Sequence, residues 1–469
     1  MNLSNKYAQP AGIIGLVAVL FVFVWSKLPV LNLPYFWDEL GVYATGVLYM
    51  FDNGPGLLPA NLDPEYSRGH PLLFYFIHSV AFRIFGPELI TGHSVALVIS
   101  VIFIIYFYFK IAKWINPLTA LVAVALLLVQ PLFYAQSVLV LPEILLAFLG
   151  FGAIASWINE KRWQYFIWCS LALLTKETAV VFPMVALGIT IFHLLGNLRT
   201  NWKTLLSKAL FSLSPFLVLL VFLVIQKFQH GWFFFPYHMD LMKIGIERII
   251  VLSKGFGRFF FFLQGRWAYS LLIVIGIVLI YFSEARVINR RLFYGIFFTI
   301  IGGLLYSVLI FYMSRYTLFM LPFYILLVAY VINELAIKSK VFLFLIPVLL
   351  WISITNMKTD QFHVDTDMGY VTYVETFEEI MDEILLETKT GEKVFANFPF
   401  YSALKDSRLG YYKGGTGDSV LTGNIDYADI VIHAEYGPWL KEYESTIMNR
   451  NPNKTFKLMG SNVFLYRMD

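Results

Sequence analysis

Apolar runs of bilayer length recur from the N-terminus to about Met357, and no other feature of the sequence limits the fold so tightly. A bilayer core about 30 Å thick takes about 20 apolar residues of helix to cross, and backbone polar groups inside lipid must be satisfied within the segment. The expected fold is therefore a polytopic α-helical membrane protein with about eleven transmembrane helices. They fall near Ala11–Val30, Gly92–Phe109, Pro117–Gln136, Leu139–Ile158, Trp163–Thr175, Thr178–Gly196, Leu206–Gln226, Ala268–Phe282, Phe293–Met313, Thr317–Ile337 and Val341–Met357. Composition agrees, since 58% of the 469 residues are hydrophobic and only 14% charged, which no ordinary soluble domain matches. The first run lacks a small-residue cleavage site and is expected to be a retained helix.

The charges between the runs set an orientation. With the N-terminus in the cytoplasm, Lys110 and Lys113, Lys161 and Arg162, Arg199, Lys203 and Lys208, Arg286, Arg290 and Arg291, and Lys338 and Lys340 all fall on the inner side. Pro71–Phe85 is short and carries His78 and Arg83, so it is laid along the outer surface rather than across the membrane. Trp163–Thr175 and Thr178–Gly196 read as a hairpin with Thr175-Lys176-Glu177 at its outer tip. This leaves a membrane domain, residues 1–357, with large outer loops at 31–91 and 227–267. Residues 358–469 turn soluble in composition. Glu375–Thr388 reads as an amphipathic helix and Lys393–Ala396, Ile430–His433 and Val463–Arg467 as strands, so a small extracytoplasmic α/β domain is expected at the C-terminus. The single cysteine, Cys169, excludes an intramolecular disulfide. A net charge of +4 is too small to argue for a nucleic-acid partner.

On this map the polar residues that need a reason gather on one side: Asp38, Glu39, Arg68, His70, Glu143, Lys176, Glu177 and Arg315. Charges at membrane depth are costly and face cavities or partners when present. Phe36-Trp37-Asp38-Glu39 offers a carboxylate that can act as general base toward an attacking hydroxyl; the alternative is a solvated loop start with Trp37 as interfacial anchor. Ser67-Arg68-Gly69-His70-Pro71 can hold a phosphate through the fork of Arg68 with His70 donating beside it, or can anchor the segment to headgroups. Lys176 is either a phosphate ligand or half of a structural ion pair, and Arg315 either enters the cavity or snorkels to the membrane surface. Glu143, after Pro142, faces the cavity or the headgroups. His193, His230, His238, His363 and His433 are scattered and read as structural or solvated. No zinc pattern, phosphate-cradling glycine loop, dinucleotide motif or nucleophile elbow is found.

Four segments in this order resemble the GT-C superfamily of membrane glycosyltransferases, in particular the relatives of protein O-mannosyltransferases and lipid A aminoarabinose transferases. They are Phe36-Trp37-Asp38-Glu39, Gly69-His70-Pro71-Leu72 with Leu at the family's second proline, Leu173-Leu174-Thr175-Lys176-Glu177, and Arg315-Tyr316 followed by Leu321-Pro322. The resemblance implies an inverting transfer of sugar from a polyprenyl-phosphate carrier to a lipid, glycan or protein acceptor at the outer face of the cell (inner) membrane. It further implies Asp38 as base and Arg68, His70, Lys176 and Arg315 on the donor phosphate. Glu143 and Glu177 would serve the acceptor or cavity. Glu39 would orient the acceptor or complete a divalent metal site, and metal dependence stays open.

Two other classes compete. A lipid transporter or flippase would use the same charges for binding or proton coupling, yet no internal repeat is found, and the charges lie toward one face rather than the midplane. A noncatalytic scaffold would tolerate their neutral substitution. Consumption of a polyprenyl-phosphate sugar by the purified protein separates both from an enzyme. The orientation has its own test: tags after Asp469 and within Leu57–Pro64 should be reachable from outside the membrane, and one near residues 199–208 only from inside. An inner C-terminus overturns it.

Overall fold

The computed structural model describes residues 3–195, 202–241, 245–281, 290–358, 365–389, 391–412, 420–421, 425–435, 447, 450–458 and 460–468. Arg199, Arg286, His363 and the side chain of His193 lie outside the described residues. The chain is an integral membrane protein built on apolar helices. Gln9–Val30, Leu89–Trp114, Arg290–Leu309 and Ser314–Lys338 are each long and apolar enough to cross a bilayer. Two further pairs qualify as bent spans: Trp202–Leu213 with Phe216–His230 at 42°, and Ile246–Phe262 with Arg266–Leu279 at 83°.

Several of the eleven expected spans are shorter than the sequence suggests, and proline accounts for part of the difference. The run Pro117–Gln136 is two helices, Pro117–Leu128 and Pro131–Gln136, because Gln130 takes extended backbone ahead of Pro131. The run from Leu139 becomes helical only at Glu143, after Pro142. Helix Arg162–Thr175 stops at Lys176, which is extended, and the chain resumes through a short turn Glu177–Val180. The two arms of the expected hairpin pack chiefly on other helices, the first on Glu143–Ile158 and the second on Arg290–Leu309. Non-helical backbone at such depth is tolerated where it lines a cavity.

The segment 227–267, expected as a long connection between spans, is largely helical. Phe216–His230 runs past Gln226, Pro236–Leu241 and Ile246–Gly257 follow, and Gln264 and Gly265, both at positive φ, make the sharp bend before Arg266. Pro71–Phe85 contains the helix Leu73–Phe85, which packs on Ala44–Asn53 and Leu89–Trp114.

The C-terminal residues form an α/β unit. Helix Gly369–Glu387 buries Tyr370, Tyr373, Val374, Phe377, Ile380, Met381 and Ile384, a stripe at helical spacing. Five strands, β1 (Val394–Ala396), β2 (Val420–Leu421), β3 (Ile430–Ala434), β4 (Lys454–Leu458) and β5 (Ser461–Arg467), lie in the order β2-β1-β3-β5-β4. β1 is parallel to β2 and β3, whereas β5 is antiparallel to β3 and β4. The short β2 and the half-exposed β4 carry too little apolar alternation to be recognised from sequence.

This unit is welded to the first outer segment rather than tethered to it. Tyr35 N–H donates to Leu409 O at 3.1 Å, and the Tyr411 hydroxyl donates to Tyr35 O at 3.1 Å. Phe36 packs edge-on to Tyr373 and Trp37 edge-on to Phe398. Gly410, at φ +103°, sits so close to Pro34 that a Cβ would meet Pro34 Cα at 2.8 Å. The Arg408 fork grips both oxygens of Asp52, at 2.9 and 2.8 Å. Phe36-Trp37-Asp38 is thereby held from above and below.

Candidate active site

Trp37 has φ +41°, a left-handed conformation that costs a bulky residue strain and is held by its packing. The turn sends the two adjacent carboxylates to different places. The Glu39 side chain is 1% exposed and accepts from the N–H groups of Phe36, at 2.9 Å, and Val140. His93 Nε2 stands 3.5 Å away, and its Nδ1–H donates to Leu31 O. Glu39 is therefore a strut between the first outer segment and the 138–142 turn, and it is absent from the cavity walls. Each of its oxygens accepts from a main-chain N–H, so its position gives no support to the expectation that it orients an acceptor or completes a metal site. Among the described residues no group of three His, Cys, Asp or Glu side chains is spaced to hold a metal ion.

The Asp38 side chain, 25% exposed, opens onto a cavity of about 260 Å³ together with Tyr43, Arg68, His70, Lys176, Glu177, His238, Arg315 and Tyr316. Arg315 begins the short helix Ser314–Met320 and is almost wholly buried. Its guanidinium joins three carboxylates: one terminal nitrogen pairs with Asp38, the other with Asp365, and Nε lies 3.3 Å from Glu143 Oε1. Lys176 Nζ reaches the same Glu143 oxygen at 2.7 Å and lies 3.8 Å over the Tyr316 ring. Glu177 pairs with His70 Nδ1 at 2.7 Å.

Seven of the eight sequence-selected residues thus converge. Asp38, Arg68, His70, Lys176, Glu177 and Arg315 line the cavity, and Glu143 stands behind it as shared counter-charge for Lys176 and Arg315. Glu143, expected to serve the acceptor or the cavity, is buried behind the cavity wall. Two buried cations need an anion between them, and Glu143 supplies it. Arg68 is the exception among the cations: it is exposed, lines the cavity, and among the described residues has no carboxylate within ion-pair distance. Arg68 at φ +46° and Gly69 at φ +75° form a tight turn, and Gly69 faces Trp232 and Phe235 so closely that a side chain there would collide.

Two residues escaped the sequence reading. His238, expected to be structural or solvated, lines the cavity 5.2 Å from the His70 ring, and burial, then His70, pushes it down to about 4, so it is neutral at ordinary pH. Asp365, just beyond the last apolar run, is buried at φ +55° with its carbonyl accepting from Gln136. Burial raises its carboxyl to about 7, against the opposing pull of Arg315. An acidic residue at the start of a soluble segment gives no sequence signal for such a place.

Residues 69–225 match the family described as dolichyl-phosphate-mannose-protein mannosyltransferase. ArnT from Cupriavidus metallidurans in the apo state superposes with a TM-score of 0.61 at 12% identity, covering 97% of each chain. The same protein bound to undecaprenyl phosphate gives 0.59 at 11% identity, again over 97% of each chain. The chain shares the fold of ArnT over nearly its whole length. The oligosaccharyltransferase of Archaeoglobus fulgidus, solved in complex with Zn and sulfate, gives 0.52 at 14% identity over 85% of this chain and 61% of that one. No curated protein matches the sequence. The stretch matched by the mannosyltransferase family carries Gly69-His70 and Lys176-Glu177, while Asp38 and Arg315 lie outside it.

The ion network separates the cations by role. Arg315→Ala strands three carboxylates and Lys176→Ala half-strands Glu143, so each should lower stability by about 3–5 kcal/mol. Arg68→Ala should cost under about 1 kcal/mol. Thermal unfolding in detergent checks the order, and equal losses for all three would refute it. Asp365 gives a pH test. Its carboxyl is raised above the ordinary value of 3.8, so the folded chain holds that proton more tightly than the unfolded one. The stability it contributes is complete below about 4 and is lost as pH rises to about 7. Asp365→Asn should remove that decline, so the melting temperature of the unmodified protein should fall relative to the variant across this window.

Proposed function

We propose that the chain is an inverting glycosyltransferase that moves a sugar from a polyprenyl-phosphate carrier to an acceptor at the outer face of the membrane, with its N-terminus cytoplasmic and residues 358–469 as the extracytoplasmic domain. One observation carries this reading. Asp38 opens both onto the small cationic cavity and onto a second cavity of about 970 Å³ between the first outer segment and the C-terminal unit. Among the described residues it is the one carboxylate common to the two walls. The match to the dolichyl-phosphate-mannose-protein mannosyltransferase family and the likeness to ArnT bound to undecaprenyl phosphate support the donor class.

In this mechanism the donor phosphate lies in the small cavity. Arg68 grips it as the uncommitted fork, with His70 and the edges of Lys176 and Arg315 beside it. An acceptor hydroxyl enters from the larger cavity. Its oxygen bonds to the anomeric carbon as the carbon–oxygen bond to phosphate breaks on the opposite face, which inverts the centre. Asp38 takes the hydroxyl proton, and the polyprenyl phosphate leaves as the anion held by Arg68. Arg315 keeps the Asp38 carboxylate aimed at the junction.

Asp38→Asn keeps the shape and removes the base, so single-turnover consumption of labelled donor in detergent should fall about a hundredfold or more while donor binding survives. Glu39→Gln, away from both cavities, should turn over at nearly the unmodified rate in its folded fraction. Near-normal turnover in Asp38→Asn would sink the assignment. Failure of the unmodified protein to consume any lipid-linked sugar would favour transport instead.

A further inference from the structure

The larger cavity has a composition of its own. Its walls hold the rings of Trp37, Tyr49, Tyr66, Tyr237, Phe398 and Tyr401, contributed by three separate parts of the chain. Its cations away from the donor side are already engaged. Arg408 is forked onto Asp52 and bonds Asp406 as well, and Lys405 donates to the Tyr66 hydroxyl at 3.2 Å and lies 5.4 Å over the Tyr401 ring. Arg68, which also lines this cavity, stands on the wall shared with the smaller one, so an anion is drawn to the donor side rather than to the aromatic wall.

The larger cavity is also poor at capturing an extended peptide or an acyl chain. Peptides commonly add to a strand edge or to a helix-lined groove, yet the C-terminal part of this wall is the loop and short helix within Asn397–Leu409 together with Glu435, just past the end of β3. A lipid tail needs a continuous apolar wall. Here Val42, Leu48 and Leu409 are interrupted by Asp52, Glu65 and Asp406. What remains is alternation of aromatic faces with acceptor oxygens. Each carboxylate oxygen has more than one lone pair, so those bonded to Arg408 keep capacity for a hydroxyl. A sugar ring presents an apolar C–H face, which suits the negative face of an aromatic ring, and a rim of hydroxyls, which suits carboxylates. The volume, near the top of the range of about 300–1,000 Å³ for small-ligand sites, has room for more than one such ring.

We propose that the acceptor is a neutral saccharide and that the C-terminal unit selects it, chiefly through Phe398 and Tyr401 in the segment that follows β1. The word acceptor rests on the glycosyl-transfer reading above; the saccharide site does not. Tyr401, from the C-terminal unit, and Tyr49, from the helix Ala44–Asn53, both line this cavity.

The test is saturation-transfer NMR on the full chain in nanodiscs, with maltotriose, mannotriose and chitotriose as probes and an uncharged unglycosylated peptide as control. At least one saccharide should receive saturation at its ring C–H protons, and the peptide none. Tyr401→Ala should weaken that binding at least tenfold and Tyr401→Phe should restore it. Tyr49→Ala, on the other wall, should weaken it independently should Tyr401→Ala fail to yield folded protein. Binding of undecaprenyl phosphate should be unchanged in each folded variant. Absence of transfer to every saccharide, a signal indifferent to both alanine variants, or preference for the peptide would overturn the inference. Loss of undecaprenyl phosphate binding by the unmodified protein would instead overturn the donor reading and leave the saccharide site standing.

Discussion

The guanidinium of Arg315 is the point on which the cavity-bearing half of the molecule turns. It ties Asp38 from the first outer segment, Glu143 from the start of a central helix, and Asp365 from the entry to the C-terminal unit. Removing these groups from water is expensive, and only mutual pairing offsets the cost. The three chain segments must therefore come together at once, or each strands a buried charge. Glu143 extends the network to Lys176, so the break after helix Arg162–Thr175 is fixed by the same charge balance.

The clasp between residues 34–37 and 409–411 does with main-chain bonds and aromatic edges what Arg315 does with charge. Tyr35, bonded through its backbone to both Leu409 and Tyr411, cannot move without the C-terminal unit. Arg408, forked on Asp52, extends the hold to the far end of the Ala44–Asn53 helix. The larger cavity lies between these fixings, so its walls come from elements held in register rather than from a flexible lid, as a binding constellation requires.

The fold was legible in the sequence where it depends on local pattern. Apolar runs gave the helices, and the amphipathic stripe of Gly369–Glu387 and the strands β1, β3 and β5 were also readable. Helix ends were less so, because Gln130-Pro131 and Leu141-Pro142 break runs whose hydropathy continues. For the site, Asp38, Arg68, His70, Lys176, Glu177 and Arg315 could be found because charge is conspicuous in an apolar chain. Their partners could not. Neighbouring Lys176 and Glu177 invite a pair but point apart, to Glu143 and His70 respectively, and Asp365 meets Arg315 only through the path of the intervening chain. Adjacency carries no information about direction when the backbone leaves helical geometry between two residues.

Asp38 and Glu39 show the same limit most sharply and also explain the division of labour. One positive φ, at Trp37, puts Glu39 among main-chain donors and leaves Asp38 at the junction of two cavities. A carboxylate saturated by backbone N–H groups stabilises a turn and has little left for chemistry, whereas one held on a single side keeps an oxygen free for a reacting proton. The cations divide likewise. Lys176 and Arg315 are already balanced by buried carboxylates, which makes them walls of fixed shape, while Arg68, at a strained turn and without a counter-charge among the described residues, has a full fork to offer. An incoming phosphate gains most from the cation that has least to give up. In the proposed reaction the grip on the donor falls to Arg68, and the buried pairs behind it fix where that donor lies.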